Sequence, residues 1–354
     1  MKIRSIPIEE ATGLALAHDL TQIDTQNNTK GARFRRGQII TEEDLPVLRR
    51  MGRRNLDILE LEEDEIHEDD AAIRLAEAFL GEGIEMDGPE EGRCRLVATT
   101  LGIVRFDPEM VKQINSDRTW SLAVCPENSV VAPGEVVAAF RILPLALKAE
   151  DMEKALKKAK PFSIVSFRNL KVGLVTTGSE IKEGLVKDVF REKLQKKLEE
   201  LGGTFVGQKI CGDEKDEIAE AIKGFLQAGT DMVICTGGMS VDLEDRTPAA
   251  IGEVADEVMF RGVPMIPGSN LMLARKGRSW LIGAPACVVH SERTSLDRLL
   301  LVLFADLEDE LDVAGWGVDG LCSNCRACIF PKCHFARFQA SEDYSKRRSV
   351  QGRV

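Results

Sequence analysis

Paired glycines followed by a hydroxyl and a carboxylate mark the segment where chemistry is most expected: Gly237, Gly238, Ser240 and Asp245. Glycines let a backbone approach a ligand closely and can aim successive N–H groups at an anion. Serine adds a hydroxyl donor, and carboxylate oxygens are ligands for Mg²⁺ beside a phosphate. The segment therefore predicts a phosphate-and-metal site. The alternative is a tight turn, with Asp245 or Thr247 acting only as a helix cap.

Three polar segments of this kind each follow a predicted strand. The paired glycines come after the apolar run 232–235, a second segment follows the run 172–176, and a third, which contains Asp213, follows the run 205–210. In an open parallel sheet, ligands bind outside the carboxyl ends of the strands. We therefore expect the three segments to meet at one edge of a sheet, where Asp213 and Asp245 would share a divalent cation.

The elements that would position these segments alternate between strand and helix. Apolar residues at helical spacing separate the three predicted strands, and Asp188 is a candidate cap for the first helix. Such alternation is typical of a parallel sheet with right-handed crossovers. We therefore predict an α/β domain over residues 170–310. Its predicted helices and closing hairpin lie at 188–201, 215–228, 271–282 and about 288–305.

Smaller elements are predicted in the part of the chain before residue 170. Residues 1–81 predict an α+β region that includes a helix beginning near Pro7, and residues 82–147 predict a small β unit broken by Gly and Pro. The charged stretch 148–160 predicts a solvated helix within a connector that covers residues 148–169.

Composition sets limits on the class of protein. The 354 residues are enough for two or three domains. The net charge of −11 argues against general nucleic-acid binding, because a phosphate-binding surface needs an excess of Lys and Arg. Apolar runs are shorter than the ~18 residues that span a bilayer, and no signal peptide follows Met1. We therefore expect a cytoplasmic protein without a membrane partner, with a basic tail at 341–354.

Four of the nine cysteines form a candidate metal site within residues 311–340: Cys322, Cys325, Cys328 and Cys333. In a cytosolic protein such a cluster is more typical of a metal site than of disulfides. The C-x2-C-x2-C start is typical of ferredoxin-type motifs, which predicts a single 4Fe–4S cluster completed by Cys333. The alternative is Zn²⁺, held by four thiolates or by three of them and His334.

Residues 171–305 contain an ordered set of short motifs. They are T-G-x-E at 177–180, Asp188, D-E-x-x-x-I at 213–218, T-G-G-x-S at 236–240 with Asp245, P-G at 267–268 and the proline loop at 283–285. As a set they resemble the molybdopterin-binding (MoaB/Mog-type) domain shared by the molybdopterin molybdotransferases, such as bacterial MoeA and the gephyrin E domain, and the molybdopterin adenylyltransferases. Residues 8–19 are similar to the first helix of the molybdotransferases, and the whole chain resembles a MoeA-like branch with a C-terminal cysteine cluster.

This resemblance implies a three-layer domain that binds molybdopterin through its phosphate and pterin, with Asp213 and Asp245 in catalysis and Mg²⁺ binding. It implies a molybdenum-cofactor transferase that inserts molybdate into molybdopterin or its adenylylated form, serves a molybdoenzyme and forms homo-oligomers. The implied cofactor-binding residues are Thr177, Gly178, Ser179, Glu180, Asp188, Thr236, Gly237, Gly238, Ser240, Pro267, Gly268 and Pro285.

Several positions depart from the family pattern. Ser179 replaces the Asp of T-G-D-E, which removes one carboxylate from the implied site, and Val189 and Phe190 replace the Ser-Asn after the helix-start Asp. These losses affect metal insertion more than ligand binding. A second hypothesis is therefore a non-catalytic molybdopterin carrier or sensor with an iron–sulfur docking segment. A third is a nucleotide pyrophosphatase of the competence-damage type, which the N-terminal β unit and the cysteine tail do not favour.

Overall fold

The computed structural model describes residues 2–14, 16–24, 29–239 and 246–337. It forms two compact units, and each is described by itself. Unit 1 consists of residues 1–99, 106–125 and 133–163, and unit 2 of residues 100–105, 126–132 and 164–354. The finer division of the chain expected from the sequence stays a prediction. None of the described helices is long and apolar enough to cross a membrane.

Unit 1 combines short antiparallel strand pairs with four helices in its described part. Strands and helices are numbered in chain order over both units. Those of unit 1 are β1 (Lys2–Pro7), β2 (Leu20–Asp24), β3 (Thr29–Phe34), β4 (Asn55–Glu60), β5 (Glu65–His67), β6 (Ile84–Glu90), β7 (Arg93–Ala98), β9 (Trp120–Val124), β11 (Val136–Ile142), β12 (Ala146–Lys148), α1 (Leu45–Arg50), α2 (Glu68–Phe79), α3 (Pro108–Asn115) and α4 (Ala149–Lys158). Its largest sheet has the order β6-β7-β11-β9. Helix α2 packs on this sheet, where Phe79 meets Phe140 edge-on with ring centroids 5.5 Å apart.

The helix predicted near Pro7 is wrong. Strand β1 is followed by a single 3-10 turn, Ile8–Glu10. Ile8 and Ala11 are both buried, and Gly13 has a left-handed φ of 83°, so the chain leaves helical geometry after one turn. Glu9 and Glu10 match the acidic first turn that is typical of a helix start. The residues that follow them lack the apolar periodicity of a longer helix.

Two helices of unit 1 differ from their expected descriptions. α3 lies in a stretch for which only strands are predicted, and Asp107 caps it by accepting a hydrogen bond from the Glu109 N–H (2.8 Å). α4 is the helix expected in the connector, yet it is not fully solvated, because Met152 and Ala155 are buried. The few apolar residues of this charged segment are therefore enough to attach one side of the helix.

Unit 2 is built around a six-stranded sheet with the order β15-β14-β16-β19-β18-β17. Strands β15, β14, β16 and β19 are parallel to one another. Strand β18 is antiparallel to β19, and β17 is antiparallel to β18. The predicted α/β class with a parallel sheet is confirmed. The elements of unit 2 are β8 (Gly102–Arg105), β10 (Val130–Val131), β13 (Ser163–Ser166), β14 (Lys171–Thr177), β15 (Thr204–Cys211), β16 (Met232–Thr236), β17 (Glu257–Arg261), β18 (Met272–Lys276), β19 (Ser279–Ala284), α5 (Ser179–Lys182), α6 (Phe190–Glu200), α7 (Lys215–Gln227), α8 (Thr247–Val254) and α9 (Ser295–Phe304).

Side chains of the central strands alternate between two helix layers. In β16, Ile234 packs in one cluster with residues of α6 and α9, and Cys235 packs in another with residues of α7 and α8. Burial on both faces explains why β16 is a continuous apolar run rather than an alternating one. The sheet therefore lies between two helix layers, which gives the three-layer arrangement predicted for this segment.

The strand register brings several loops to one edge of the sheet. Parallel pairing aligns Thr176 with Thr236 and Thr236 with Ala284, so the loops after β14, β16 and β19 leave at the same edge. We call this edge the carboxyl rim. The connection between β17 and β18 also lies there, because Met272 at the start of β18 pairs with Gly283. The chain reverses its direction across the sheet between β14 and β16, and such switch points bind ligands in open α/β sheets.

Candidate functional site

The loops that follow β14 and β16 are joined at the switch point by threonine hydroxyls. The Thr177 hydroxyl donates a hydrogen bond to the Thr236 carbonyl (3.1 Å), and the Thr247 hydroxyl donates to the Gly237 carbonyl (2.8 Å). The two hydroxyl oxygens lie 3.3 Å apart. All three threonines are buried. These contacts fix the glycine turn to both strands, so Thr247 does more than begin a helix.

Gly237 lies too close to β14 to carry a side chain. Its φ is +85°, and a Cβ at this position would lie 2.3 Å from the carbonyl oxygen of Thr177. Gly238 also has a left-handed φ, +55°. Both glycines are half-buried, whereas the following Met239 is buried against Gly283 of β19. The turn is therefore closely packed at its base and still open to solvent on its outer side.

Asp213 and Ser179 lie beside each other at the carboxyl rim. Asp213 Oδ2 accepts hydrogen bonds from the backbone N–H (2.9 Å) and the hydroxyl (2.7 Å) of Ser179. Both residues are exposed, so a ligand can reach the carboxylate from solvent. The structure thus brings together the predicted segments after β14 and β15. It leaves Oδ1 of Asp213 as the oxygen that could bind a cation.

Four other residues predicted for this site have no contact in the described part of the structure that tests a role in ligand binding. Gly178 is buried with a φ of +139°, and Glu180 is exposed at the start of α5. Ser240 and Asp245 lie outside the described residues. The expected approach of Asp213 to Asp245, and the role of both in Mg²⁺ binding, therefore stay predictions.

An ion pair beside Asp213 was not expected from the sequence. Lys182 Nζ donates to both carboxylate oxygens of Glu217 (2.7 and 2.8 Å), and the Gly212 N–H donates to Glu217 Oε2 (3.0 Å). The hydrogen bond from Lys182, followed by that from Gly212, holds the pKa of Glu217 below its usual range. The pair ties α5 to α7 across the rim. Because Lys182 and Glu217 are 35 residues apart in the chain, no local sequence pattern predicts the pair.

Asp188 lies one residue before Val189, the N-cap of α6, binds the first N–H of the helix from there, and has a second partner. Its Oδ1 accepts a hydrogen bond from the Phe190 N–H (2.8 Å), and its Oδ2 accepts one from the side-chain amide of Gln208. The same amide donates to the Thr176 hydroxyl (2.8 Å). Because both carboxylate oxygens are engaged within the fold, this geometry favours a capping role over ligand binding.

Pro267 and Gly268 lie in the β17–β18 connection and contact the start of α9. The Ser295 N–H donates to the Pro267 carbonyl (3.1 Å), and the Ser295 hydroxyl donates to the Gly268 carbonyl (2.6 Å). A Cβ on Gly268 would lie 2.3 Å from Ser295 Oγ, so glycine serves helix packing here. Pro285 is buried directly after β19. These residues are all at the carboxyl rim, but on the β19 side of the glycine turn.

One shallow cavity is lined by all four C-terminal cysteines: Cys322, Cys325, Cys328 and Cys333. The first and last are half-buried, and the middle two are exposed. Arg293 lines the same cavity. The Cys322 N–H donates to the carbonyl of Ile266 in the β17–β18 connection (2.8 Å), which places the cavity at the carboxyl rim. The structure therefore brings the four predicted metal ligands to one place.

A second group of potential ligands, His67, Glu68 and Asp69, lies in unit 1. His67 Nε2 is 3.0 Å from the Ala17 carbonyl and so carries the ring proton, while Nδ1 contacts the Arg36 guanidinium and the Asp69 N–H. Burial lowers the pKa of His67 and raises the pKa of Glu68 to about 7. Because both ring nitrogens have partners, this group is suited to holding the fold together rather than to binding a metal.

Comparison with known families agrees with the resemblance expected from the motifs. Residues 173–304 match the family described as "probable molybdopterin binding domain", and residues 5–60 match a domain of unknown function. The first match spans the six-stranded sheet of unit 2, from β14 to the end of α9. The predicted resemblance is confirmed for this segment.

Individual relatives are distant and cover part of the chain. The molybdopterin molybdenumtransferase of Haemophilus influenzae is 28% identical over 151 residues, which are 41% of this chain and 37% of that protein. A CinA-like protein of Mycobacterium leprae is 30% identical over 95 residues, 27% of this chain and 22% of that protein. The chain thus spans well under half the length of either relative. The comparisons support a general function in molybdopterin binding for residues 173–304.

Solved structures similar to the chain include two MoaB proteins. MoaB of Thermus thermophilus has a TM-score of 0.34 and 22% identity, covering 41% of this chain and 97% of that one. The tungsten cofactor synthesizing protein MoaB of Pyrococcus furiosus has a TM-score of 0.34 and 19% identity, covering 40% of this chain and 97% of that one.

Proposed function

We propose that unit 2 binds molybdopterin at the carboxyl rim between β14 and β16 and acts in molybdenum-cofactor biosynthesis, as a transferase that inserts molybdate into molybdopterin or its adenylylated form. The supporting observation is the packing of Gly237 against the Thr177 backbone at the switch point, inside the segment that matches the molybdopterin-binding family. The phosphate of the ligand lies on the N–H groups of this turn, because paired glycines present backbone donors without side chains in the way.

Mg²⁺ is the cofactor that this proposal requires, and Asp213 fits it. One oxygen of this exposed carboxylate is oriented by Ser179, and the other remains for a hard cation that prefers oxygen ligands. Asp245 is the proposed second ligand. When bound, Mg²⁺ neutralises phosphate charge and polarises the phosphoryl bond. The contribution of the chain is to hold the carboxylate of Asp213 at the rim.

Ser179 supports a second candidate, a molybdopterin carrier or sensor. Its hydroxyl donates to Asp213, where the Asp expected from the family pattern would add a second carboxylate. The rim then has less negative charge with which to hold a metal ion. In this candidate the pterin is bound unchanged, and the cysteine segment serves redox sensing or docking to a molybdoenzyme. The similarity to a CinA-like protein keeps nucleotide pyrophosphatase activity as a third outcome.

Titration of the full chain under anaerobic conditions separates these candidates. Molybdopterin and its adenylylated form are added with or without Mg²⁺ and molybdate, and binding and AMP release are measured. Release of AMP that depends on both additions supports the transferase, and tight binding without release supports the carrier. Cleavage of a dinucleotide pyrophosphate supports the third candidate. Failure to bind either pterin overturns the first two. Light scattering on the same sample tests the expected homo-oligomer.

Three variants sharpen the experiment. Asp213→Asn should weaken Mg²⁺-dependent binding by about tenfold, the loss expected for one charge-assisted contact. Ser179→Asp places a second carboxylate beside Asp213 and should raise AMP release if the chain is a transferase. Glu214→Gln removes a neighbouring exposed carboxylate and should change neither quantity. Equal effects of Asp213→Asn and Glu214→Gln would show that Asp213 has no specific role.

A further inference from the structure

The C-terminal cysteine segment, residues 311–337 of the described chain, is attached to the sheet domain through a buried arginine. Arg298 lies in helix α9 between Asp297 and the apolar run 299–304, and it is 1% exposed. Its guanidinium lies 5.8 Å from the ring centroids of both Trp316 and Phe335. It donates hydrogen bonds to four carbonyl oxygens of the segment, those of Phe335 (2.9 Å), Trp316, Asp319 and His334 (each 3.3 Å). One side chain therefore orders the backbone on both sides of the cysteines.

Backbone pairing provides a second attachment. The Ile266 N–H donates to the Gly320 carbonyl, and the Cys322 N–H donates to the Ile266 carbonyl, both at 2.8 Å. On the far side of the loop, Lys332 Nζ donates to the Val130 carbonyl (2.8 Å). The first and last cysteines thus adjoin fixed backbone. The exposed thiols between them belong to a loop held at both ends.

The spacing of the thiols distinguishes between two kinds of metal centre. All four cysteines line one cavity, yet within the described chain no three of their sulfur atoms lie within 4.8 Å of one another. In a tetrahedral zinc site, Zn–S bonds of about 2.3 Å place the sulfur atoms about 3.8 Å apart. In a 4Fe–4S cluster each thiolate binds a different iron atom, so the sulfur atoms stand further apart around a larger core. The described thiols therefore lack the close three-sulfur group of a preformed zinc site, which is compatible with the larger centre.

Two arginines lie at the cavity and beneath it. Arg293 lines the cavity and stacks on Phe330, with its guanidinium carbon 4.7 Å from the ring centroid, but its charge is paired with Glu200 (2.8 Å) and Asp297 (3.1 Å). The Arg298 guanidinium beneath the segment instead binds carbonyl oxygens. A 4Fe–4S core with four thiolate ligands has a net negative charge, which the Arg298 guanidinium would stabilise. His334 is a weaker candidate for a ligand, because its Nε2 lies 2.9 Å from the Leu321 carbonyl.

We infer that this cavity binds a single 4Fe–4S cluster through the thiolates of Cys322, Cys325, Cys328 and Cys333. The inference goes beyond the molybdopterin proposal and does not depend on it, because the cysteines and the glycine turn belong to different loops. It assigns the cysteine segment a resident metal centre at the carboxyl rim.

The test uses the full chain, isolated without oxygen from cells supplied with both iron and zinc. The expected result is about four iron and four sulfide ions per chain, with a broad absorption at about 400 nm that bleaches on reduction by dithionite. One zinc ion per chain without sulfide would overturn the inference. So would an absence of any bound metal after anaerobic reconstitution with ferrous iron and sulfide.

Matched variants show whether the thiols of the cavity are the ligands. Cys325→Ser and Cys328→Ser change exposed side chains, so the fold should persist, and each should lose most of the iron and the 400 nm band. Ser323→Ala in the same loop and Cys287→Ser, a half-buried cysteine outside the cavity, should keep the iron content of the unmodified chain. Iron retained in both exposed-cysteine variants would overturn the assignment. Circular dichroism confirms folding in each case.

Discussion

Replacement of Gly237 by alanine tests whether the glycine turn is held against β14 as the structure shows. The matched control is Gly229→Ala at the opposite end of β16. Both glycines have left-handed φ angles, +85° and +76°. A Cβ at Gly229 would meet nothing within 4 Å, whereas one at Gly237 would lie 2.3 Å from the Thr177 carbonyl oxygen. The pair therefore separates the cost of the backbone angle from the cost of the close contact.

The magnitudes follow from these distances. An alanine in a left-handed conformation costs about 1 kcal/mol, and this should be the whole effect of Gly229→Ala. For Gly237→Ala the two backbones must also separate by about 1 Å to reach ordinary contact. Overpacking of this kind adds about 2 kcal/mol, which brings the total to about 3 kcal/mol. The displaced turn should also bind molybdopterin at least about tenfold more weakly.

Urea unfolding followed by tryptophan fluorescence measures the stability of unit 2. Trp280 and Trp316 report on this unit, and a Trp120→Phe background removes the signal of unit 1. Titration with molybdopterin gives the second readout, in which Gly229→Ala should match the unmodified chain. Equal losses of stability in the two variants would refute the reasoning, because the Thr177 backbone would then impose no limit on the turn. Unchanged ligand affinity in Gly237→Ala would remove the turn from the proposed site.

Three further predictions concern buried polar groups. Thr247→Val keeps the shape of the side chain but leaves the Gly237 carbonyl without its donor, so the urea midpoint of unit 2 should fall by an amount equivalent to about 1–3 kcal/mol. Arg298→Met removes the donor of four hydrogen bonds and should cost about 3 kcal/mol or more, with loss of iron from the cysteine segment in the same preparation. Burial raises the pKa of the Glu68 carboxyl group to about 7 from its ordinary value of 4.5. As pH rises between these values, the unfolded chain loses this proton while the folded chain keeps it. The stability of unit 1 should therefore fall between pH 4.5 and pH 7. Glu68→Gln should remove this dependence and stabilise unit 1 at pH 8 by about 2 kcal/mol, measured by urea unfolding at pH 5 and pH 8.

The sheet of unit 2 could be predicted because its signals are local. Strand β16 is buried on both faces, so it is a continuous apolar run, and helix α7 has apolar residues at the spacing of one helix face. Alternation of such runs with helices leaves few topologies other than a parallel sheet with right-handed crossovers. Local signals gave a wrong prediction at Ile8–Glu10. The residues there have the pattern of a helix start, but the structure has a single 3-10 turn and no second turn.

Contacts between distant segments could not be predicted from spacing. Ser179 and Asp213 are 34 residues apart and meet because β14 and β15 pair in parallel and end together. Arg298 is a buried charge at the start of an apolar run in α9, and the carbonyl groups that it binds come from residues 316 to 335. A buried charge is costly unless its donors are satisfied. That cost signals a structural partner for Arg298, but the sequence does not identify it.

Both candidate sites of unit 2 lie on one edge of its sheet for a topological reason. β18 runs antiparallel to β19 and begins where β19 ends, so the β17–β18 connection projects from the same edge as the glycine turn after β16. Ile266 in that connection pairs with Leu321, which fixes the start of the cysteine loop there. Two strand spacings, about 10 Å, separate β16 from β18, which is close to the Debye length at physiological salt. A charged cluster would therefore act only weakly on an anion at the switch point, so cysteine variants that lose iron should leave the glycine turn able to bind its ligand.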